Sequence, residues 1–339
     1  DYEKAKDYYQ KAIQTQPRHA NAHYNLGLVF QELEDHEKAK DYYQKAIQTQ
    51  PHHANAYNNL GIVFQEMGKF EKAKSCYQKA LKHEPKNLNY FYQLSDLKKE
   101  ILNSKLKSKI NKIMKDDSCT GMNLAYGNFL LAKYALIAKN YKKEFKYLLK
   151  GHQSYFDSEE KNFNKGIDYC LNELPKIKKL VNINRLDKKI EKIFYKIKPI
   201  FIVGVPRCGS TLVEKIITSG AKQLPAGEET GIFSSLVKKK MLKKHNLNSD
   251  IENFQEKLVE KYKQKGLIRE KSDYTFTDKS LDNFFYLGLI KKSFFNAKII
   301  DCRRNVTSCI ISILKNNLTK LPWAHNLEHI FKYFDIYYK

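Results

Sequence analysis

A glycine-bounded turn between an apolar strand and a hydroxyl-led helix can hold an anion, and residues 199–214, PIFIVGVPRCGSTLVE, have that form. Gly204 and Gly209, followed by Ser210 and Thr211, space out a phosphate-binding loop in which backbone N–H groups and a helix N-terminus meet negative charge. In the ATP- and GTP-binding form of this loop the residue after the second glycine is Lys. Here it is Ser210, and the nearby cation is Arg207, inside the loop. The pattern predicts a phosphate-bearing nucleotide other than a nucleoside triphosphate, and the missing Lys argues against a kinase.

Two strands must position such chemistry. The runs PIFIVGV, from Pro199, and AKIIDC, residues 297–302, are short and continuously apolar, as expected of strands buried in a parallel sheet. Each leads into a helix, the second through RRNVTSCIISI, which places Arg303, Arg304, Ser308 and Ser312 near a helix start. Ligands of doubly wound α/β folds bind at the carboxyl ends of the strands, so both basic loops are expected at one crevice. Two phosphate-type sites in one crevice fit a nucleotide phosphorylated at two places.

The first part of the chain is repetitive. DYEKAKDYYQKAIQTQP at Asp1 recurs as DHEKAKDYYQKAIQTQP at Asp35 and more loosely as KFEKAKSCYQKALKHEP at Lys69, a period of 34 residues. Leu26, Gly27, Phe30, Ala39, Tyr43, Ala46 and Pro51 return as Leu60, Gly61, Phe64, Ala73, Tyr77, Ala80 and Pro85. This is the tetratricopeptide pattern, in which small residues let helices approach, aromatics fill the groove and Pro ends each unit. Residues 123–156 predict one further, degenerate helical pair, and the Lys-rich stretches 87–122 and 157–198 favour helix as extension and connection. The expected domains are repeats over 1–86, degenerate helical repeats and connector over 87–198, and an α/β domain over 199–339. The repeat surface suits a protein partner or self-association.

The chain of 339 residues is 42% apolar and 13% aromatic, enough for real cores. Its 61 basic and 37 acidic residues leave a net charge of +24, nearly all of it beyond Lys86. A polyanionic ligand or acidic acceptor would use that excess, and so would solvated helix faces. Nucleic-acid binding is disfavoured, because the lysines lack interleaved aromatics. Six cysteines without a C-x-x-C pair indicate neither a zinc site nor a disulfide framework. With no signal peptide and no membrane-spanning apolar run, the expected setting is reducing and cytoplasmic. The first repeat starts within its second helix, so Asp1 is not expected to be a natural start and the chain reads as a fragment.

Four motifs in order, VGVPRCGSTLVE, AGEET (226–230), FTDKSLDN (276–283) and CRRNVTSCIIS (302–312), resemble the sulfotransferases that use 3′-phosphoadenosine 5′-phosphosulfate (PAPS). The resemblance is to the tyrosylprotein branch and to bacterial sulfotransferases with N-terminal tetratricopeptide repeats. It implies an all-α solenoid followed by a P-loop-like α/β parallel-sheet sulfotransferase domain, PAPS as co-substrate and no metal. It also implies a protein tyrosine or a glycan as hydroxyl acceptor. Arg207, Cys208, Gly209, Ser210 and Thr211 match the 5′-phosphosulfate loop, and Arg304 with Ser312 matches the 3′-phosphate pair. Which of Arg303 and Arg304 turns inward stays open. Glu229 corresponds to the catalytic base, and Lys279 to the lysine that contacts the bridging and sulfonate oxygens; with Arg207 they make the catalytic set. Cys208 stands where the tyrosylprotein enzymes have Ser, and it reads as a small filler. Gly231 stands where that branch has an arginine that helps place the acceptor. The last third of the family's catalytic domain is expected beyond Lys339, which would leave Trp323 and its aromatic neighbours partly exposed and the truncated domain short of full activity. The competing reading is a repeat scaffold whose nucleotide domain binds without catalysis.

Overall fold

A computed structural model of the chain describes residues 2–180, 196–220, 223–242, 251–268 and 274–339. They form two compact units, Asp1–Ser158 and Glu159–Lys339.

The first unit is helical, and its repeat is visible in its contacts. Tyr2–Thr15, Ala20–Glu32, His36–Thr49, Ala54–Glu66 and Phe70–His83 follow one another, each packed on the next. A Cβ on Gly27 would sit 2.5 Å from the Tyr43 ring, and one on Gly61 would sit 2.6 Å from Tyr77. An alanine at either position would overpack the pair, a cost of about 1–3 kcal/mol. The ring hydroxyls are satisfied identically one period apart: Tyr43 donates to Gln31 Oε1 at 2.7 Å and Tyr77 to Gln65 Oε1 at 3.0 Å. Nδ1 of His19 and of His53 accepts the N–H of Ala22 and of Ala56, so each first helix starts on the same cap. Beyond the repeats the chain continues as Leu88–Leu97, Ser104–Met114, Gly121–Ile137 and Tyr141–Asp168. The last two helices span the stretch 123–156, and the second runs on past it to Asp168.

The second unit is built on a parallel three-stranded sheet of order β2-β1-β3 among the described residues. Its strands are β1 (Ile200–Val203), β2 (Thr277–Asp278) and β3 (Lys298–Asp301). Phe201 pairs with both Asp278 and Ile299, which sets the register of the whole sheet. β1 is central, with Phe201, Ile202 and Val203 all buried. β3 departs from expectation: Lys298 and Asp301 are exposed and its isoleucines half-buried, because it pairs with β1 alone among the described residues. The aromatic cluster also differs from expectation. Trp323 and Tyr333 stack at 3.8 Å with 1% exposure each, and Phe334 is buried, while Phe331 and Tyr338 face solvent. The helix Leu327–Tyr338 folds its apolar face onto this unit, so the tryptophan finds its cover within the chain.

Candidate active site

All three strands point their carboxyl ends at one cleft. Its volume is about 780 Å³, and its lining includes Gly204, Arg207, Gly209, Ser210, Thr211, Lys215, Glu229, Lys279, Arg304 and Lys320. Five of these are cations and one is an anion, the balance a polyanion requires.

The loop after β1 is shaped by two conformational demands. A Cβ on Gly204 would meet Cys208 Sγ at 2.4 Å and the Cys302 carbonyl oxygen at 3.0 Å, so the turn closes only over glycine. Arg207 and Gly209 then adopt left-handed backbone, with φ of 70° and 107°. The second reversal launches the helix Ser210–Thr218, so Ser210 and Thr211 present N–H groups from the helix's unsatisfied first turn to the cleft. Cys208 is buried, with its Sγ packed toward Gly204, and does not line the cleft. Burial pushes the neighbouring Cys302 thiol up to about 11.

Past β3 the two arginines diverge. Arg303 Nε donates to Asp301 Oδ2 at 2.7 Å, and its guanidinium lies 5.9 Å from the Tyr338 ring centroid. Arg304 lines the cleft, and its Nη1 donates to the Arg207 carbonyl at 3.3 Å. Ser312, on the helix Val306–Asn316, accepts from Arg207 Nε at 3.0 Å. The loops that follow β1 and β3 are therefore bonded to each other directly. Asn305 caps that helix by accepting from Ser308 N–H, so Ser308 serves the helix start.

Glu229 and Lys279 meet across the cleft, with Lys279 Nζ 3.5 Å from Glu229 Oε1. Lys279 is nearly enclosed at 10% side-chain exposure, whereas Glu229 is 67% exposed. Two buried carboxylates that the sequence reading passed over hold this pair. Asp278 accepts from Thr230 Oγ1 at 2.6 Å, Tyr262 OH at 2.7 Å, Ser280 Oγ at 2.7 Å and Asn283 Nδ2 at 2.9 Å. Glu214 accepts from Glu228 N–H and from Thr277 Oγ1–H. An acidic residue inside the apolar stretch STLVEKII is a faint signal for the second, and an aspartate at a strand end just before Lys279 gives none for the first. Gly231 has φ of 61° with open space beside its Cα, and its N–H donates to Ser280 Oγ at 2.9 Å. An arginine there would be strained in backbone.

The profile of the sulfotransferase family matches residues 199–338, and that of the tetratricopeptide repeat matches residues 1–51 and 18–83. The chain thus carries tetratricopeptide repeats followed by a sulfotransferase-family domain. Among curated proteins, an uncharacterized protein of Aquifex aeolicus (strain VF5) is 32% identical over 130 residues, covering 35% of this chain and 17% of the relative. The chain therefore matches less than a fifth of that relative's length. Two similar solved structures are pilF of Pseudomonas aeruginosa and YrrB, described as a TPR protein with an unusual peptide-binding site. The first is 20% identical with a TM-score of 0.34, over 46% of this chain and 72% of its own. The second is 19% identical with a TM-score of 0.31, over 49% and 84%. Among the described residues no helix is long and apolar enough to cross a membrane, and no group of three or more His, Cys, Asp or Glu is placed to hold a metal ion.

Proposed function

We propose that this chain transfers a sulfuryl group from PAPS to a hydroxyl acceptor, a protein tyrosine or a glycan, with the repeat domain engaging a protein partner or the acceptor. The observation that carries this reading is the meeting of the Gly204 loop, the Glu229–Lys279 pair and Arg304 in one cation-rich cleft. That donor set fits a nucleotide bearing phosphates at both the 5′ and 3′ positions. Bound there, PAPS supplies the sulfuryl group and a 5′-phosphate leaving group.

The side chains divide the remaining work. The N–H groups of the helix start, with Ser210 and Thr211, hold the 5′ end. Arg304, with Ser312 one hydrogen bond from Arg207, holds the 3′-phosphate through charge-assisted bonds. Glu229 takes the proton of the acceptor hydroxyl as the new O–S bond forms and the S–O bond to phosphate breaks. Lys279 and Arg207 neutralise charge on the sulfonate and on the departing phosphate, the positioning and electrostatic role that dominates phosphoryl transfer. Gly231, lacking the acceptor-placing arginine of the tyrosylprotein branch, favours an acceptor held by other contacts.

Transfer of labelled sulfate to peptide and glycan libraries tests the reading. Glu229→Gln should abolish transfer while the affinity for 3′-phosphoadenosine 5′-phosphate (PAP) is kept. Unchanged turnover would remove Glu229 as base. PAP binding by a wild type that never modifies an acceptor would establish the scaffold reading instead.

A further inference from the structure

Glu214 sits one helical turn behind Ser210 on the helix Ser210–Thr218, with 3% exposure. A buried carboxylate is costly unless its oxygens are well used. Its Oε1 accepts two hydrogen bonds, from Glu228 N–H at 3.0 Å and from Thr277 Oγ1–H at 2.7 Å. The Thr277 hydroxyl in turn accepts from Gly227 N–H at 3.2 Å. Both N–H groups immediately before Glu229 are thereby tied, directly or through one hydroxyl, to a single carboxylate oxygen. The Glu228 carbonyl accepts Lys279 N–H at 2.8 Å. Glu228 is a non-glycine residue at φ of 53°, a backbone state that persists only where surrounding bonds impose it.

We propose that Glu214 is a positioning residue: it couples the helix that presents the phosphate loop to the backbone that aims Glu229 and Lys279. The inference rests on the sulfuryl-transfer reading for its kinetic consequence, and on the hydrogen bonds alone for its structural one. The donor end of the site and its acid–base pair lie on separate loops, and Glu214 is where their spacing is set. A loop carrying Glu229 without this tie relaxes out of the left-handed conformation and loses alignment with the acceptor, while the helix N-terminus keeps its own geometry.

The experiment uses the full protein with Glu214→Ala and Glu214→Gln. Glutamine keeps an Oε1 acceptor without the charge. Glu214→Ala should accelerate hydrogen exchange at Glu228, Glu229 and Thr230, leave PAP protection of residues 209–211 intact, and lower kcat at least about tenfold with little change in donor KM. Glu214→Gln should restore most of the rate. The inference is overturned if exchange across 228–230 is unchanged, if PAP affinity falls in proportion to kcat, or if Glu214→Gln is as damaged as Glu214→Ala. If Glu214→Ala does not fold, Thr277→Val, which replaces the bridging hydroxyl with a methyl group, must accelerate exchange at Gly227 and lower kcat with PAP affinity kept. Absence of transfer in the wild type would sink the sulfuryl-transfer reading, and the exchange measurement would still decide the role of Glu214.

Discussion

Gly227→Ala probes the site through a distance. The added Cβ would stand 2.0 Å from the Thr277 carbonyl oxygen and 3.1 Å from its carbon. Real Cβ contacts essentially never fall below 3.0 Å, so the loop and strand must separate by about 1 Å. The strand resists, because it is paired to β1 in register and Ile200 N–H is bonded to the Phe276 carbonyl at 2.8 Å. The displacement therefore falls on the loop that carries Glu229, and it strains the bonds from Gly227 N–H and Glu228 N–H. A misplacement of about 1 Å costs on the order of 100-fold in rate, equivalent to about 2.7 kcal/mol of lost transition-state stabilisation. Overpacking adds a stability loss of about 1–3 kcal/mol. Arg207, Gly209 and Arg304 are untouched, so PAP binding by calorimetry should stay within about threefold, well under 1 kcal/mol. Steady-state sulfate transfer and a thermal melt with and without PAP measure all three quantities. Wild-type kcat, or a parallel fall of kcat and PAP affinity, would refute the reasoning.

The two arginines after β3 should separate cleanly. Arg304→Ala should weaken PAP by about 10- to 100-fold, the worth of a charge-assisted bond of about 1.5–3 kcal/mol, with adenosine 5′-phosphate binding little changed. Arg303→Ala should leave PAP affinity near wild type, since Arg303 is engaged with Asp301 on the surface; an equal effect of both would reverse the assignment. Asp282 supplies a pH test. Burial holds its carboxyl above the ordinary 3.8, the nearby Glu229 charge pushes the same way, and the Ser234 hydroxyl opposes. The folded state then binds this proton more tightly than the unfolded chain, so the associated stability is present below pH 3.8 and is lost as pH rises through the raised value. Asp282→Asn should melt progressively later than wild type as the pH is raised from about 4 to 8, and a melting difference that does not vary with pH would contradict the burial argument.

Much of this was legible along the chain because it depends on neighbours in sequence. A 34-residue period with glycine facing tyrosine specifies helical hairpins that can bury their faces only by stacking. A strand ending in Gly204 and a helix beginning after Gly209 specify a tight strand-to-helix turn whatever surrounds it, and the same local logic placed a second strand-to-helix connection after β3. What the sequence by itself determined, then, was the order of elements and the residue types at each strand end. Tertiary structure decided the pairings. It turned Arg304 inward and Arg303 onto Asp301, bonded Arg207 to Ser312 across 105 residues, and covered Trp323 with the helix Leu327–Tyr338. It also made Glu214 and Asp278 into buried anchors for the Glu229 loop. Periodicity and φ preference act over a few residues, whereas a hydrogen-bond partner is chosen by which strand lies beside β1, and that order exists only once the sheet has formed.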